Sequence, residues 1–408
     1  MRSKLPPRLQ KFTTKGALVK LPLLPFALIA ICIFALLRPF VIIQIYKVHD
    51  WRIGHMVSTT QRTIYEIKEW NSLHLRKKII IYFFGSKKSS NQIYKSILMR
   101  QNYSMSGHWG FILFHVSSFF KFLVLNSDPS VLDRSGLFVK YSVGTVFNKS
   151  ETCEGKRFLE SCQLDQVKRY VCLNVRDSSY LSTNRKKDFS KHNLRNSDIN
   201  TYIDVVKTLT GLGYAVFRMG SKVEKRLDFE HPLFYDYASN GMRTEFLDIF
   251  LAANCTFCIS TGTGWDEIPQ IFKRPTLYVN VVPLVAPTIL TRDLLLFPKY
   301  LKFKNTNKLL SLEDCFASDL WGQADPYWVD KYHGVVQDLS SDDLTHATLE
   351  MVARIEGRFN PTIKEIQMQD LLIRKLTDKS KFQPSEGYFP IRAKFALRFL
   401  MQNPSFLD

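Results

Sequence analysis

The chain has 408 residues, 45% of them hydrophobic, which is ample for buried cores in more than one domain. Charged residues make up an ordinary 23%, but the net charge of +19 points to an anionic partner: a membrane surface, phosphates or nucleic acid. The seven cysteines are scattered, and the one CxxC (Cys255, Cys258) lacks the second Cys or His pair of a zinc set, so they read as buried thiols in a reducing compartment. On an extended strand Cys255 and Cys258 would face opposite sides of a sheet.

Residues 1–20 carry Arg2, Lys4, Arg8, Lys11, Lys15 and Lys20 and no acid. The apolar run LPLLPFALIAICIFALL follows, closed by Arg38 and Pro39. As a helix, its 17 residues reach roughly 26 Å, short of a hydrocarbon core of about 30 Å. No small-residue cleavage site follows, which argues against a signal peptide. Pro22, Pro25 and Arg38 favour a helix in the membrane interface, its basic flanks gripping anionic lipid, over a spanning one. A buried core helix is the third reading.

From residue 40, short apolar runs alternate with helical periods. VIIQIYKV reads as a strand, HMVSTTQRTIYEIKEW as a helix, KKIIIYFFG as a buried strand, and NQIYKSILMR as a helix capped by Ser89, Ser90 or Asn91. Residues 102–165 are aromatic and less regular, suggesting a short helix pair and a linker. The alternation then resumes: strand YVCLNV, helix SDINTYIDVVKTLTGLG, strands YAVFRMG and PLFYDYA, helix MRTEFLDIFLAAN, strand CTFCIST, helix WDEIPQIFKR, strand PTLYVNVV. GVVQDL and the helix SDDLTHATLEMVARIEGRF close the series. The pattern predicts an α/β chain of two tandem αβα, Rossmann-like domains, 39–165 and 166–360. They would be preceded by a membrane-attachment segment, 1–38, and followed by a helical extension, 361–408. Ligands of such folds sit at the carboxyl ends of the strands.

GxxxxGK[ST], GxGxxG after a strand, GxSxG and HExxH are all absent. So is a DxD pair, so a bound phosphate would be neutralised by Arg, Lys and helix ends, without a divalent metal. Arg176 and Asp177 leave a core strand directly, and an Arg fork there suits phosphate. The long loop that follows carries Arg185, Lys186, Lys187, Lys191, His192 and Arg195. Arg218, Gly220 and Lys222 repeat the theme after the next strand. Ser260, Thr261, Gly262, Thr263 and Gly264 precede a helix, where backbone N–H groups, hydroxyls and the helix dipole would receive an anion. In the earlier domain Arg52, Gly54 and His55 open the first helix on the acceptor side, and His55 suits a general base.

RIGHM, VRDSSYL, RNSDINTYIDVVKTLTGLGYAVFRMG, DIFLAANCTFCISTGTGWDEIPQIFKRPTLYVNVVPL and FLMQNPSFLD together resemble a bacterial family of glycosyltransferases associated with surface-polysaccharide synthesis. The resemblance spans most of the chain from about residue 38 and is strongest over 170–290. It implies a GT-B arrangement, distantly fucosyltransferase-like. By that resemblance Arg176 takes the place of the arginine that meets the donor diphosphate, and Glu267 that of the residue holding the ribose. The HxRR-type motif of fucosyltransferases is missing: Asn174 and Asp177 flank Arg176 instead. Nucleotide sugars are made in the bacterial cytoplasm, so the resemblance implies a cytoplasmic catalytic domain attached to the membrane, and the sequons at Asn102, Asn148 and Asn254 then carry no meaning.

The sequence thus reads as a membrane-associated, metal-independent glycosyltransferase without a cofactor. It would move a sugar from a nucleotide-sugar donor to a glycan or lipid-linked acceptor. His55 or Asp177 serves as base, and Arg176 and Arg195 with residues 260–264 stabilise the leaving diphosphate. The alternatives are a nucleotide-sugar epimerase of similar architecture and a non-catalytic lipid- or nucleic-acid-binding protein. Nucleic acid is disfavoured, since no module or stacking pattern for it is present.

Overall fold

The computed structural model describes residues 21–86, 88–125, 136–141, 147–164, 169–179, 190–282, 293–317, 329, 331, 333–379 and 392–408. The basic tail 1–20 and loop residues 185–187 lie outside them. The chain forms two compact units, one holding the described residues up to Leu125 and the other those from 136 onward.

The first unit is built on a parallel sheet, β1 (Val41–Val48), β2 (Lys77–Phe84) and β3 (Ser104–Ser106), in that order. Its helices are α1 (Leu24–Leu37), α2 (Ile53–Leu73), α3 (Gln92–Gln101) and α4 (Gly107–Ser117). Of the three capping candidates, Asn91 starts α3, its side chain accepting from the Tyr94 N–H at 2.8 Å. The sequence of α1 has no charged side chain, and it buries one stripe only. Ala27 and Ile31 join a core with Ile45, Phe83 and Leu113, while Phe26, Ile29, Ile33 and Leu36 stay exposed. No helix among the described residues is long and apolar enough to cross a membrane.

The second unit carries the larger sheet: β4 (Tyr170–Asn174), β5 (Ala215–Arg218), β6 (Phe234–Tyr235), β7 (Phe257–Ser260), β8 (Thr276–Val281), β9 (Leu294–Pro298) and β12 (Lys394–Phe395). Two further strands, β10 (Tyr300–Phe303) and β11 (Gly334–Gln337), pair antiparallel in a separate ribbon. The main order is β12-β9-β8-β7-β4-β5-β6, every pair parallel. β4 comes first in this unit yet lies mid-sheet, with β5 and β6 on one side and β7 onward on the other. The chain reverses its winding between β4 and β7. Connections there leave in opposite directions and open a crevice at the carboxyl ends.

The helices of this unit are α5 (Leu137–Lys140), α6 (Lys149–Ser161), α7 (Ile203–Gly211), α8 (Glu245–Asn254), α9 (Glu267–Ile271), α10 (Leu312–Ala317), α11 (Ser341–Ile355), α12 (Ile363–Lys379) and α13 (Leu397–Gln402). Strand alternation divides β4 between two faces. Val171 and Leu173 join the core with Val205 and Val206 of α7 and Ala347 of α11. Tyr170 and Cys172 instead point their polar atoms at the Leu251 carbonyl of α8. Every residue of β4, β5, β7, β8 and β9 is buried, as in a parallel sheet covered on both sides.

Three sequence expectations change. The division of the chain falls before residue 147 rather than near 165, because α6 belongs to the second unit, its Gly155 flat against the Phe250 ring. Residues 361–408 are no appended extension: β12 completes the main sheet, and Phe395, Phe399 and Phe406 enter its core. The cysteine alternation also fails, since Cys255 ends α8 before the strand begins. Cys172 and Cys258 are lateral neighbours on β4 and β7, and the free Cys172 and Cys255 thiols donate to the Leu251 and Ala252 carbonyls of α8. Burial pushes the Cys172 and Cys258 thiols up and keeps both protonated.

A Cβ at residue 155 would lie 2.2 Å from the buried Phe250 ring. Gly155→Ala should therefore cost about 1–3 kcal/mol of stability through overpacking, read as a lower urea midpoint at unchanged m-value. An unchanged midpoint would remove α6 from the packed body.

Candidate functional site

The carboxyl ends of β4 and β7 lie side by side, with Asn174 opposite Ser260. Three bonds tie the end of β4 to the turn after β7. The Thr261 N–H donates to the Asn174 carbonyl at 3.2 Å. The Asn174 amide donates to Thr263 Oγ1 at 2.6 Å, and the Arg176 N–H donates to Thr261 Oγ1 at 2.8 Å. The turn is folded round Asp266, which sequence reasoning missed. Its Oδ2 accepts from the Ser260 hydroxyl and from the Thr263 N–H, both at 2.8 Å. The Gly262 N–H donates to Ser260 Oγ and the Trp265 N–H to Thr263 Oγ1, each at 3.2 Å. Gly262 has φ +80°, which explains a glycine at that place.

This arrangement corrects the anion site expected at the start of the WDEIPQIFKR helix. The helix α9 is only five residues long, and the hydroxyls of Ser260, Thr261 and Thr263 and the N–H groups of Thr261, Gly262, Thr263 and Trp265 are engaged within the protein. Ser260 and Thr261 are fully buried. The place reserved for a substrate anion is taken by the chain's own carboxylate. Glu267 opens α9, half-buried, and its charge acts on Asp266. Gly264 is exposed at the tip.

Two guanidiniums border the turn. Arg195 Nη2 donates to the Gly262 carbonyl, and the Ser197 N–H donates to the Arg176 carbonyl at 3.0 Å. The Nε atoms of Arg176 and Arg195 are both buried and have no hydrogen-bond partner among the described residues. Burial first, and the Arg195 charge second, push the Arg176 guanidinium down to about 10; Asp266 and Asp177 oppose them. Burial likewise lowers Arg195, opposed by Asp266. Two partly desolvated cations that repel each other, with donors left over, make a site for an anion such as a diphosphate.

The other predicted residues separate from this pair. Arg218 is 1% exposed and holds Asp236 at 3.1 and 3.3 Å, so it points into the interior, not at a ligand. Gly220 is required by a close approach: a Cβ would meet Val223 at 2.7 Å. Asp177 is an unsuitable base, because its Oδ1 accepts from the Ser179 N–H at 3.0 Å and its Oδ2 from the Glu224 N–H at 2.7 Å. In the first unit His55 lies in the first turn of α2, with its Nδ1 buried and unpartnered among the described residues. Burial, then Arg52 and His49, hold its pKa low, so the imidazole is neutral near neutrality. His49, with its ring 6.2 Å away, is a neighbour that sequence reasoning missed. Arg52 is exposed over the Trp51 ring, and the Gly54 carbonyl accepts from Ser58 Oγ. Among the described residues, no group of three or more His, Cys, Asp or Glu is placed to hold a metal ion.

Burial, and then the Glu267 charge, push Asp266 up to about 7 against the hydrogen bonds from Ser260, Thr263 and Tyr278. The folded state thus keeps a proton that the unfolded chain releases near its model value of 3.8. Stability from this group is full below that value and is lost as pH rises toward 7 and beyond. Asp266→Asn keeps an acceptor oxygen and removes the titration. Its melting temperature should gain on that of the parent between about pH 5 and about pH 8. A constant difference across that range would contradict the raised pKa.

Comparison with protein-family models returns no match, and comparison with curated proteins returns none. Among solved structures, the chain is similar to E. coli ADP-heptose LPS heptosyltransferase II at 12% identity and TM-score 0.45, over 77% of this chain and 100% of that one. It is similar to a glycosyl transferase family 9 protein from Veillonella parvula at 10% identity and TM-score 0.40, over 64% and 86%. A third, the iron-containing heptosyltransferase TibC in complex with ADP-D-beta-D-heptose, aligns at 11% identity and TM-score 0.28, over 60% and 59%. None of these three is a fucosyltransferase. All three scores lie below 0.5.

Proposed function

We propose that the chain is a membrane-associated glycosyltransferase of the GT-B type. It would move a sugar from a nucleotide-sugar donor to a glycan or lipid-linked acceptor in surface-polysaccharide synthesis. The observation that carries the reading is the Arg176–Arg195 pair at the point where the sheet reverses its winding, with both Nε donors buried and unpartnered among the described residues. The resemblance of residues 170–290 to a glycosyltransferase family supports the same class.

In this reading the donor's diphosphate lies on the two guanidiniums. As the bond between the anomeric carbon and the diphosphate oxygen breaks, negative charge gathers on that oxygen. Fixed cations in a partly desolvated place stabilise it without reorganising. The acceptor oxygen forms the new bond to carbon, and its proton passes to a base, for which the neutral His55 is the candidate. Glu267 is the candidate for the ribose. The two arginines supply the neutralisation otherwise given by a divalent metal. An epimerase would use the same donor grip but need no acceptor.

Membrane attachment is part of the proposal. The exposed face of α1 is wholly apolar, and six basic residues precede it in the sequence. A helix with one face in the protein and the other at the acyl boundary fits both facts. The catalytic domain would be cytoplasmic, where nucleotide sugars are made.

Titration of the protein with ADP, UDP, GDP and CDP tests the donor grip. One nucleotide should bind, and Arg176→Ala should weaken it about 10- to 100-fold, the loss of a charge-assisted bond. No binding by any of them sinks the reading, and donor turnover without acceptor shifts it to the epimerase. For the membrane, sedimentation with phosphatidylglycerol vesicles should carry the protein down. Phe26→Ser with Ile29→Ser should release it; equal sedimentation of the two would overturn the role of α1.

A further inference from the structure

Lys299 joins β9 to β10 and is 4% exposed. Its Nζ donates to Asp338 Oδ1 and to the Asn196 carbonyl, both at 2.6 Å. Burial lowers its pKa and Asp338 raises it. A lone surface ion pair would need no explanation, but the second acceptor here is particular. The peptide between Asn196 and Ser197 gives its carbonyl to Lys299 and its N–H to the Arg176 carbonyl. One peptide unit therefore links the ammonium to one arginine of the candidate site and carries the other, Arg195, on its amino side.

The neighbouring framework is rigid in the same direction. Asn280 on β8 has φ +54° and is fully buried. It donates to the Tyr202 hydroxyl at 3.1 Å and accepts from the Leu339 N–H at 2.8 Å. The segment 195–202 is thus held at Asn196 by Lys299 and at Tyr202 by Asn280, both on the carboxyl side of the sheet.

We propose that Lys299, held by Asp338, is a positioning residue that sets the placement of Arg195 beside Arg176 and so the anion affinity of the pair. The inference rests on the donor reading for its nucleotide arm and on geometry alone for its spectroscopic arm. Lys299→Met fills the same space and leaves Asp338 with its partly exposed side chain open to water, so the fold survives.

The test uses the full chain with the nucleotide that binds the parent protein. Lys299→Met should weaken binding about tenfold, and Lys299→Arg should recover most of it. In an Arg195→Ala background the same substitution should cost nothing further, because its effect passes through Arg195. An equal loss in both backgrounds would make Lys299 a merely structural residue and overturn the proposal. The second arm needs no nucleotide: the nitrogen-15 Nε resonance of Arg195 should broaden or shift in Lys299→Met and in Asp338→Asn. An unmoved resonance also overturns the proposal, whatever the parent protein binds. If the parent binds no nucleotide, the donor reading fails and the resonance alone decides the role of Lys299.

Discussion

The carboxyl group of Asp266 is the constraint on which the candidate site is built. It gathers the Ser260 hydroxyl and the Thr263 N–H into one fold of the chain, in a place with no solvent. Remove it, and several donors are left in a dry interior with nothing to meet. The turn in turn fixes the end of β4 through Asn174 and Thr261, and the carbonyl of Gly262 receives Arg195. The turn against which both arginines lie is therefore built on one buried acid, and neither of their free Nε atoms has a hydrogen bond to it.

Such a device has a cost that is visible in the electrostatics. A buried acid, two half-buried guanidiniums that repel each other and a nearby Glu267 do not balance by themselves. Local interactions left unsatisfied in an otherwise consistent core mark a place shaped for something other than stability. Elsewhere the second unit has all-buried strands, capped helices such as the Ser340–Asp343 box, and an interior Arg218 whose Nη1 pairs with Asp236 while its Nε stays unpartnered among the described residues.

Most of the elements were legible because their signals are local. The run YVCLNV is apolar throughout, as a strand covered on both faces must be, and SDDLTHATLEMVARIEGRF shows both cap and period. The strand KF was not, since a two-residue edge strand is defined by its partner and carries no periodicity of its own, and the apolar run LLLFP was passed over. The site was half legible. Arg176 stood out at a strand end and Arg195 in a basic loop, but the hydroxyls of ISTGTG looked free, whereas they serve Asp266, Asn174 and the Arg176 backbone. Nothing in the spacing reveals that an acid two residues past the last glycine will fold inward. Arg218 misled for the same reason: its partner, Asp236, is far along the chain and is brought close only by the sheet.

The thiols under this site have a practical consequence. Cys172 and Cys258 sit one beside the other on the two strands that diverge at the crevice, and Cys255 closes the group, all without solvent contact. Cys32 and Cys153, by contrast, are exposed. Alkylating reagents should find the outer two at once and the inner three only when β4 and β7 part. Their rate of labelling is then a clock for the opening of the sheet beneath the arginines, set by the chain itself.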